Sequence, residues 1–196
     1  MPFNIVFVLF PEFEELDYAG PYEVFGTAAR YVDSEWRVFT VAAERTTRGT
    51  NGMRVEADYQ FEDAPPADLI VVPGGFGTRP AMDDAALIGY VKRAGEGAQY
   101  VTSVCTGALL VQRAGFLEGR RATTHWGARK ELAALGGVEV VEERWVQDGN
   151  VITAAGVSAG IDMALYVVGL LKSPEDARKV QRIMEYEPSP PYAAVS

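Results

Sequence analysis

Three short strand-like runs are the feature that most constrains how this chain can fold. They cover Ile5 to Phe10, Leu69 to Val72 and Tyr100 to Val104, and each is largely apolar on both of its faces. Such runs are typical of parallel strands that helices cover on each side. The stretches between them have helical patterns. The sequence therefore predicts an α/β fold with a mostly parallel central sheet and helices on both faces.

The rest of the pattern adds further elements to this frame. Strands are expected over Arg37 to Val41, Glu139 to Trp145 and Val151 to Thr153, and helices near Pro21 to Arg30, Ala85 to Ala94, from Thr106, over Gly160 to Leu171 and over Pro174 to Met184. The proline-rich tail from Glu187 to Tyr192 cannot be helical and is expected on the surface or across a partner. With 196 residues, 48% of them hydrophobic, residues 1–196 are interpreted as a single domain.

Composition argues against several classes of partner. The net charge is −9 and the longest basic cluster is Arg120-Arg121, so nucleic-acid binding is not expected. No apolar stretch approaches the roughly 18 residues of a membrane span, so a soluble protein with no membrane partner is expected. One cysteine cannot form an internal disulfide, and the first residues lack a charged leader with a cleavage site. These features predict a cytoplasmic protein.

Cys105, the only cysteine, follows the third run directly and precedes Thr106-Gly107 and an apolar helical stretch. The pattern predicts a strand, a tight turn and a helix with the thiol at the corner, the arrangement of a nucleophile elbow. Unpaired backbone N–H groups and the helix dipole at that corner would favour the thiolate. The alternative is an inert buried cysteine, and these residues alone leave both interpretations open.

The other two runs also end in residues that can do chemistry. Asp17 lies shortly after the first run, and Gly74-Gly75 follows the second. Ligands of open α/β sheets bind outside the carboxyl ends of the strands, so we expect these residues to meet Cys105 there. Asp17 is either a proton shuttle, if burial raises its pKa, or an ordinary helix cap. Glu14 and Glu15 are expected to face water.

Gly74 and Gly75 lack Cβ atoms, so their amides can approach a ligand closely. With the amide of Thr106 they are candidates for a substrate-binding oxyanion hole; the alternative is an ordinary turn after a strand. The segment from Gly75 to Pro80 has proline in place of the third glycine of a dinucleotide fingerprint, and we therefore expect no nucleotide cofactor.

His125 is the only histidine of the chain. It is a candidate general base for Cys105, or a hydrogen-bonded packing residue beside Trp126. One cysteine and one histidine cannot supply a usual zinc ligand set, so no metal site is expected. The small-residue segment from Ala154 to Asp162 is interpreted as close helix–sheet packing, with a wall of the same crevice as the alternative.

These motifs together resemble the ThiJ/PfpI family of the class I glutamine amidotransferase-like superfamily, whose fold is a flavodoxin-like sandwich with a nucleophile elbow. The resemblance covers nearly the full chain and, within the family, is closest to the isonitrile hydratases. It is carried by Leu16 to Tyr22, Val72 to Gly75, Thr102 to Gly107, Gly119 to Trp126 and the tail from Glu185 to Pro191.

The resemblance implies that Cys105 is the nucleophile, Asp17 the general acid/base and Thr106 a hydroxyl that assists at the elbow. The implied reaction adds water to an isonitrile and gives an N-substituted formamide through a cysteine thioimidate. This chemistry predicts a lowered pKa for the thiol and a raised pKa for the carboxyl. Phe76, Tyr18 and Trp126 are candidates for an apolar enclosure, or ordinary core residues.

Two departures separate this chain from other branches of the family. The intracellular peptidases have histidine where this chain has Thr106, and the glyoxalase or deglycase branch has glutamate where it has Asp17. The remaining alternatives are another cysteine-dependent enzyme, namely a glyoxalase, deglycase or hydrolase, and a non-enzymatic redox sensor or ligand-binding domain. The resemblance also implies a small-molecule isonitrile substrate and a homodimer.

Overall fold

A computed structural model describes residues 2–192 of the chain. Its main sheet has seven strands, and all neighbouring pairs are parallel except the one at the β10 edge. In spatial order the strands are β10 (Trp145–Asp148), β11 (Val151–Ala154), β7 (Tyr100–Val104), β6 (Leu69–Val72), β1 (Phe3–Val8), β2 (Trp36–Ala42) and β5 (Tyr59–Gln60). The predicted mostly parallel sheet is confirmed.

Seven helices surround this sheet in the described part of the chain. They are α1 (Glu15–Tyr31), α2 (Thr78–Ala81), α3 (Ala85–Gly97), α4 (Gly107–Arg113), α5 (Arg129–Ala134), α6 (Ala159–Leu171) and α7 (Pro174–Ile183), and a 3-10 turn (Trp126–Ala128) precedes α5. Residues of α3, α4 and α5 are buried in one hydrophobic cluster, and residues of α1, α6 and α7 in a second. The predicted flavodoxin-like sandwich is therefore confirmed.

The alternation of side chains along β1 and β6 explains why the buried residues of these strands are apolar on both faces. In β1, Val6 and Val8 belong to the first cluster, whereas Ile5 and Phe7 belong to the second. Strand β6 divides in the same way, and all four of its residues are fully buried. A strand covered on both faces favours apolar side chains, and the polar residues buried in the neighbouring strand β7, Thr102 and Ser103, are small.

Two short two-stranded sheets lie outside the main one. β3 (Thr46–Arg48) pairs antiparallel with β4 (Arg54–Glu56), and β8 (Arg120–Ala122) pairs parallel with β9 (Val138–Val140). The predicted strand from Glu139 to Trp145 is wrong, because the chain leaves β9 before it enters β10. The intervening residues are charged, and Glu143 pairs with Arg121 on β8 instead of continuing a strand.

The first helix begins six residues earlier than predicted. Pro21 was expected near its start, because proline normally interrupts a helix, yet α1 runs through it. Pro21 is buried, and its ring lies against Gly160 of α6. Tertiary packing therefore outweighs the local preference.

The segment from Glu187 to Tyr192 is non-helical and exposed, as predicted. Within residues 2–192, no helix combines the length and the hydropathy that crossing a bilayer requires.

Candidate active site

The three chemical segments predicted at the strand ends converge in the structure. Parallel pairing of β1 with β6 and of β6 with β7 brings their carboxyl ends to one edge of the sheet. There the amide of Gly74 donates to the Asp17 carboxyl, and this carboxyl lies beside the Cys105 thiol. One acid, one glycine turn and the thiol therefore share the floor of a single site.

Cys105 has the backbone conformation of an elbow. Its φ is 56°, in the left-handed region that non-glycine residues seldom adopt, and such strain costs on the order of 1–3 kcal/mol. The surroundings fix this conformation. The Cys105 amide donates to the carbonyls of Ala154 and Ala155 at 3.1 and 2.9 Å, and its carbonyl accepts from the Thr124 hydroxyl at 2.7 Å.

Asp17 is a fully buried carboxyl inside α1. The alternative role of helix cap is wrong, because Glu14 occupies the cap position. Asp17 Oδ2 accepts from the Gly74 amide at 2.8 Å, and Oδ1 has no hydrogen-bond partner among the described residues that meets ordinary geometry. Burial raises the pKa of Asp17 to about 8 despite the Gly74 hydrogen bond. At neutral pH the group is therefore a carboxylic acid, as the sequence predicted.

Gly74 allows the glycine turn, Asp17 and the elbow to approach one another. A Cβ atom at this position would lie 2.6 Å from Thr106 N and 2.8 Å from Asp17 Oδ2. The predicted oxyanion role of the two glycine amides needs correction, because both amides already have partners. Gly74 N–H donates to Asp17, and Gly75 N–H donates to Thr106 Oγ1 at 3.0 Å.

Thr106 connects the elbow to the glycine turn. It stands at the N-cap of α4, but its hydroxyl makes no capping hydrogen bond. Instead Oγ1 accepts from Gly75 N–H and lies 3.2 Å from Gly75 O, and the same hydroxyl reaches the Cys105 sulfur. Thr106 thus fixes the position of the turn relative to the thiol.

The sulfur is surrounded by N–H donors and nevertheless has a high pKa. Burial and the neighbouring Asp17 raise the pKa of Cys105 to about 12, although the amides of Thr106 and Val157 donate toward the sulfur. The predicted lowering of this pKa is therefore wrong. The helix α4 has only seven residues, so its dipole offsets little of the cost of burying a thiolate beside an acid.

A cleft of about 310 Å³ opens above the thiol. Its lining is formed by Glu14, Gly75, Phe76, Arg79, Cys105, Thr106, His125, Trp126, Gly127, Ala128 and Val157. Phe76 and Trp126 are 71% and 75% exposed, so these aromatic side chains flank the cleft without sealing it. Tyr18 is not part of the lining, because its ring packs against Phe7 and Phe13 beneath the site.

Besides Cys105 and Arg79, the lining of the cleft contains two titratable side chains, Glu14 and His125. Glu14 was expected to face water; in fact it lines the cleft, and partial burial, followed by the charge of Glu15, raises its pKa. His125 Nδ1 accepts from Gly127 N–H at 3.2 Å, which leaves the ring proton on Nε2. Partial burial and then Arg79 lower the pKa of His125, so the ring is neutral at pH 7.

Val157 is a site residue that the sequence interpretation missed. It lies in the small-residue segment between β11 and α6, where close packing was preferred to a crevice wall. Both descriptions apply: Gly160 lies against Val104 in close packing, whereas Val157 lines the cleft. Its φ is 39°, which no local sequence signal predicts for a β-branched residue.

Among residues 2–192, no group of three or more histidine, cysteine, aspartate or glutamate side chains is arranged to hold a metal ion.

The chain is similar in sequence and fold to several known proteins. Residues 4–170 match the model of the DJ-1/PfpI family. An isonitrile hydratase of Pseudomonas putida is 39% identical over 193 residues, which are 98% of this chain and 82% of the relative. A crystal structure of a ThiJ/PfpI family protein from Pseudomonas syringae superposes with a TM-score of 0.92 at 33% identity, covering 100% of this chain and 80% of that one. A deglycase of Pyrococcus horikoshii is 27% identical over 77% of this chain and 89% of its own length.

Proposed function

The chain belongs to the DJ-1/PfpI family, and from this membership and the geometry of the cleft we propose that it is an isonitrile hydratase. The observation that carries the proposal is the Cys105 thiol on the floor of the cleft beside a buried, protonated Asp17. An isonitrile needs both a nucleophile and a proton at its terminal carbon, and this pair supplies them together. The reaction needs no cofactor.

In the first step Asp17 acts as a proton relay. Its carboxyl proton passes to the terminal carbon of R–N≡C while the sulfur of Cys105 forms a bond to the same carbon, and the thiol proton returns to the carboxylate. The product is the thioimidate R–N=CH–S–Cys105, and Asp17 is protonated again. Both groups therefore start in the neutral states that their raised pKa values imply.

In the second step water adds to the thioimidate carbon. Asp17 gives a proton to the imine nitrogen and takes one from the attacking water, which leaves a tetrahedral R–NH–CH(OH)–S–Cys105. This intermediate collapses by breaking the carbon–sulfur bond, the hydroxyl proton is transferred to the sulfur, and R–NH–CHO leaves. The backbone N–H groups of Thr106 and Val157 stabilise the charge that develops on the departing sulfur.

The cleft suits a small, weakly polar substrate. Its lining exposes more apolar than polar surface, and Phe76 and Trp126 offer flat faces to the substituent R. Arg79 is already paired with Glu131 at 2.8 Å and adds no unpaired cation. We therefore expect uncharged alkyl and aryl isonitriles to bind.

The direct test is turnover of cyclohexyl isocyanide and 4-nitrophenyl isocyanide in ¹⁸O-labelled water. The proposal predicts the N-substituted formamide with one ¹⁸O atom per molecule, and loss of product with the matched variants Cys105→Ser and Cys105→Ala. Intact-mass spectrometry after an acid quench should detect the chain plus one substrate. Absence of formamide from folded wild-type protein at every substrate concentration would overturn the assignment.

The deglycase relative makes carbonyl chemistry the second candidate. A thiol beside a carboxylic acid also suits addition to an α-oxoaldehyde. The same protein is therefore tested with methylglyoxal. Lactate production that depends on Cys105, without any formamide from isonitriles, would favour this second function.

For the assembly and location of the protein, we propose a cytoplasmic homodimer. The free thiol of Cys105 fits a reducing compartment. The exposed segment from Glu187 to Tyr192 is a candidate contact between the two copies. Sedimentation velocity at micromolar concentration tests the dimer, and a single monomeric species would contradict it.

A further inference from the structure

Arg144 lies outside the cleft but makes contacts on both sides of the loop that reaches the Cys105 sulfur. This loop, residues 155–158, connects β11 to α6. At its start the Ala155 amide donates to the Arg144 carbonyl at 2.8 Å, and at its end the Arg144 guanidinium donates to Ser158 Oγ at 3.3 Å. We propose that Arg144 is a positioning residue for the proposed reaction: it clamps this loop so that the Val157 amide faces the sulfur.

The loop needs an external clamp because its backbone is strained. Val157 has a φ of 39°, and a β-branched side chain in the left-handed region is a steric outlier that persists only where the surroundings enforce it. The carbonyl of Ala155 also accepts from the Cys105 amide. Release of the loop would therefore disturb the elbow as well as the Val157 donor.

The guanidinium has the geometry that this clamp requires. Its Nε pairs with Asp162 in the first turn of α6, while Nη2 reaches Ser158. Tyr186, which follows α7, lies beside the same Arg144–Asp162 pair. The planar guanidinium of Arg144 presents several N–H donors in fixed directions, so it contacts Asp162 and Ser158 at the same time. The ammonium group of a lysine cannot make both contacts with the same geometry.

The experiment measures the Cys105 thiol itself. Because the chain has one cysteine, iodoacetamide modifies a single thiol, and the rate at fixed pH follows the thiolate fraction. We expect Arg144→Met to lower this rate roughly tenfold at pH 9, about the effect of losing most of one hydrogen bond to a charged sulfur. Arg144→Lys should lower it less.

Arg121→Met is the matched control. Arg121 also forms a half-exposed ion pair, with Glu143 at 2.7 Å, and its side-chain exposure of 47% is close to the 52% of Arg144. This pair makes no contact with the loop in the hydrogen bonds of the structure, so the alkylation rate should stay at the wild-type value. If Arg144→Met acted only by lowering the stability of the fold, Arg121→Met should lower the alkylation rate to a similar extent.

A second variant tests the role of strain. Glycine adopts φ near 39° without steric cost, so Val157→Gly in the Arg144→Met background should restore most of the alkylation rate. An unchanged rate in folded Arg144→Met, or no recovery in the double variant, would overturn the proposal. If Arg144→Met does not fold, the alkylation rate of Ser158→Ala tests the proposal instead. This variant removes only the hydroxyl that accepts from Arg144, and it should also lower the rate.

Alkylation does not depend on the proposed hydratase activity, so the two proposals fail separately. If formamide is formed, Arg144→Met should also lower kcat with little change in KM, because the clamp touches no substrate. If no formamide is formed but alkylation responds as expected, Arg144 still positions the thiol and only the assigned reaction is wrong.

Discussion

Asp17 and Cys105 are buried beside one another, and burial, followed by the charge of an ionised Asp17, raises the pKa of the thiol. The carboxyl has the lower pKa of the two, about 8 against about 12. As the pH rises, Asp17 therefore loses its proton first, and the thiol then becomes harder to ionise. This order leads to a direct prediction for the rate.

The pH dependence of kcat/KM should report the protonation of Asp17. The proposed first step needs the carboxylic acid, so kcat/KM should be constant at lower pH and should fall as the pH rises through about 8. Asp17→Asn should lower kcat/KM by roughly 10²–10⁴-fold, the usual contribution of a positioned proton donor. A rate that rises through pH 8 would contradict this order and would indicate that thiolate formation limits the reaction.

The stability of the fold should also depend on Asp17. In the unfolded chain this carboxyl ionises near 3.8, whereas in the folded protein it keeps its proton up to about 8. Unfolding between these values releases a proton, so rising pH lowers the free energy of unfolding, by up to about 1.4 kcal/mol per pH unit. The stabilisation that the protonated Asp17 provides is fully present below pH 3.8, decreases as the pH rises, and is lost by about pH 8. Asp17→Asn should lack this slope in urea titrations at several pH values, and equal slopes in both proteins would disprove it.

Gly74→Ala should damage the site by overpacking. The new methyl group would meet the Thr106 amide and the Asp17 carboxyl, which cannot both move away. We expect a loss of about 1–3 kcal/mol in the free energy of unfolding and a strong loss of turnover. Gly26→Ala in α1 is the control, because its methyl group meets nothing within 4 Å and a helical alanine should stabilise by about 0.5–1 kcal/mol. Similar effects of the two variants in thermal unfolding would count against this interpretation.

Two replacements of Thr106 should distinguish the role of its hydroxyl from the role of its side-chain shape. Thr106→Val removes the acceptor of the Gly75 amide and the donor that reaches the sulfur, and we expect kcat to fall roughly tenfold or more with a loss of about 1–3 kcal/mol in stability. Thr106→Ser keeps the hydroxyl and should retain most of kcat. Steady-state kinetics with one isonitrile compares the two. If Val and Ser behave alike, the hydroxyl has no role in the reaction.

The sequence predicts the centre of the fold well because burial there determines residue type. The runs that became β1 and β6 are apolar on both faces, and the run that became β7 adds only the small polar residues Thr102 and Ser103, since helices cover both sides of the sheet. This pattern is visible without coordinates. The hairpin of β3 and β4 is not visible in this way. Its residues are mostly polar or charged and its position depends on distant contacts, such as that of Glu15 with Asn51.

At the candidate site, the residue types, their convergence and the raised pKa of Asp17 agree with the sequence predictions, whereas the partners of the glycine amides and the high pKa of the thiol do not. Cys105, Asp17, Gly74, Gly75 and Thr106 meet at the carboxyl ends of the strands, as predicted. The partners of the two glycine amides depend on the side-chain rotamers of Asp17 and Thr106, which follow the strands on either side of β6 but are distant in sequence. The high thiol pKa depends on how completely the pocket excludes water. Neither quantity is encoded in a local pattern.

The left-handed backbone at position 105 has a consequence for how such chains change over time. A glycine there would occupy the same conformation without steric cost, so selection for a robust fold alone would favour losing the thiol. Cys105 in this conformation keeps the domain below its attainable stability. Descendants relieved of their chemical task should therefore drift toward glycine or asparagine at the elbow, and that exchange would mark inactive members of the lineage.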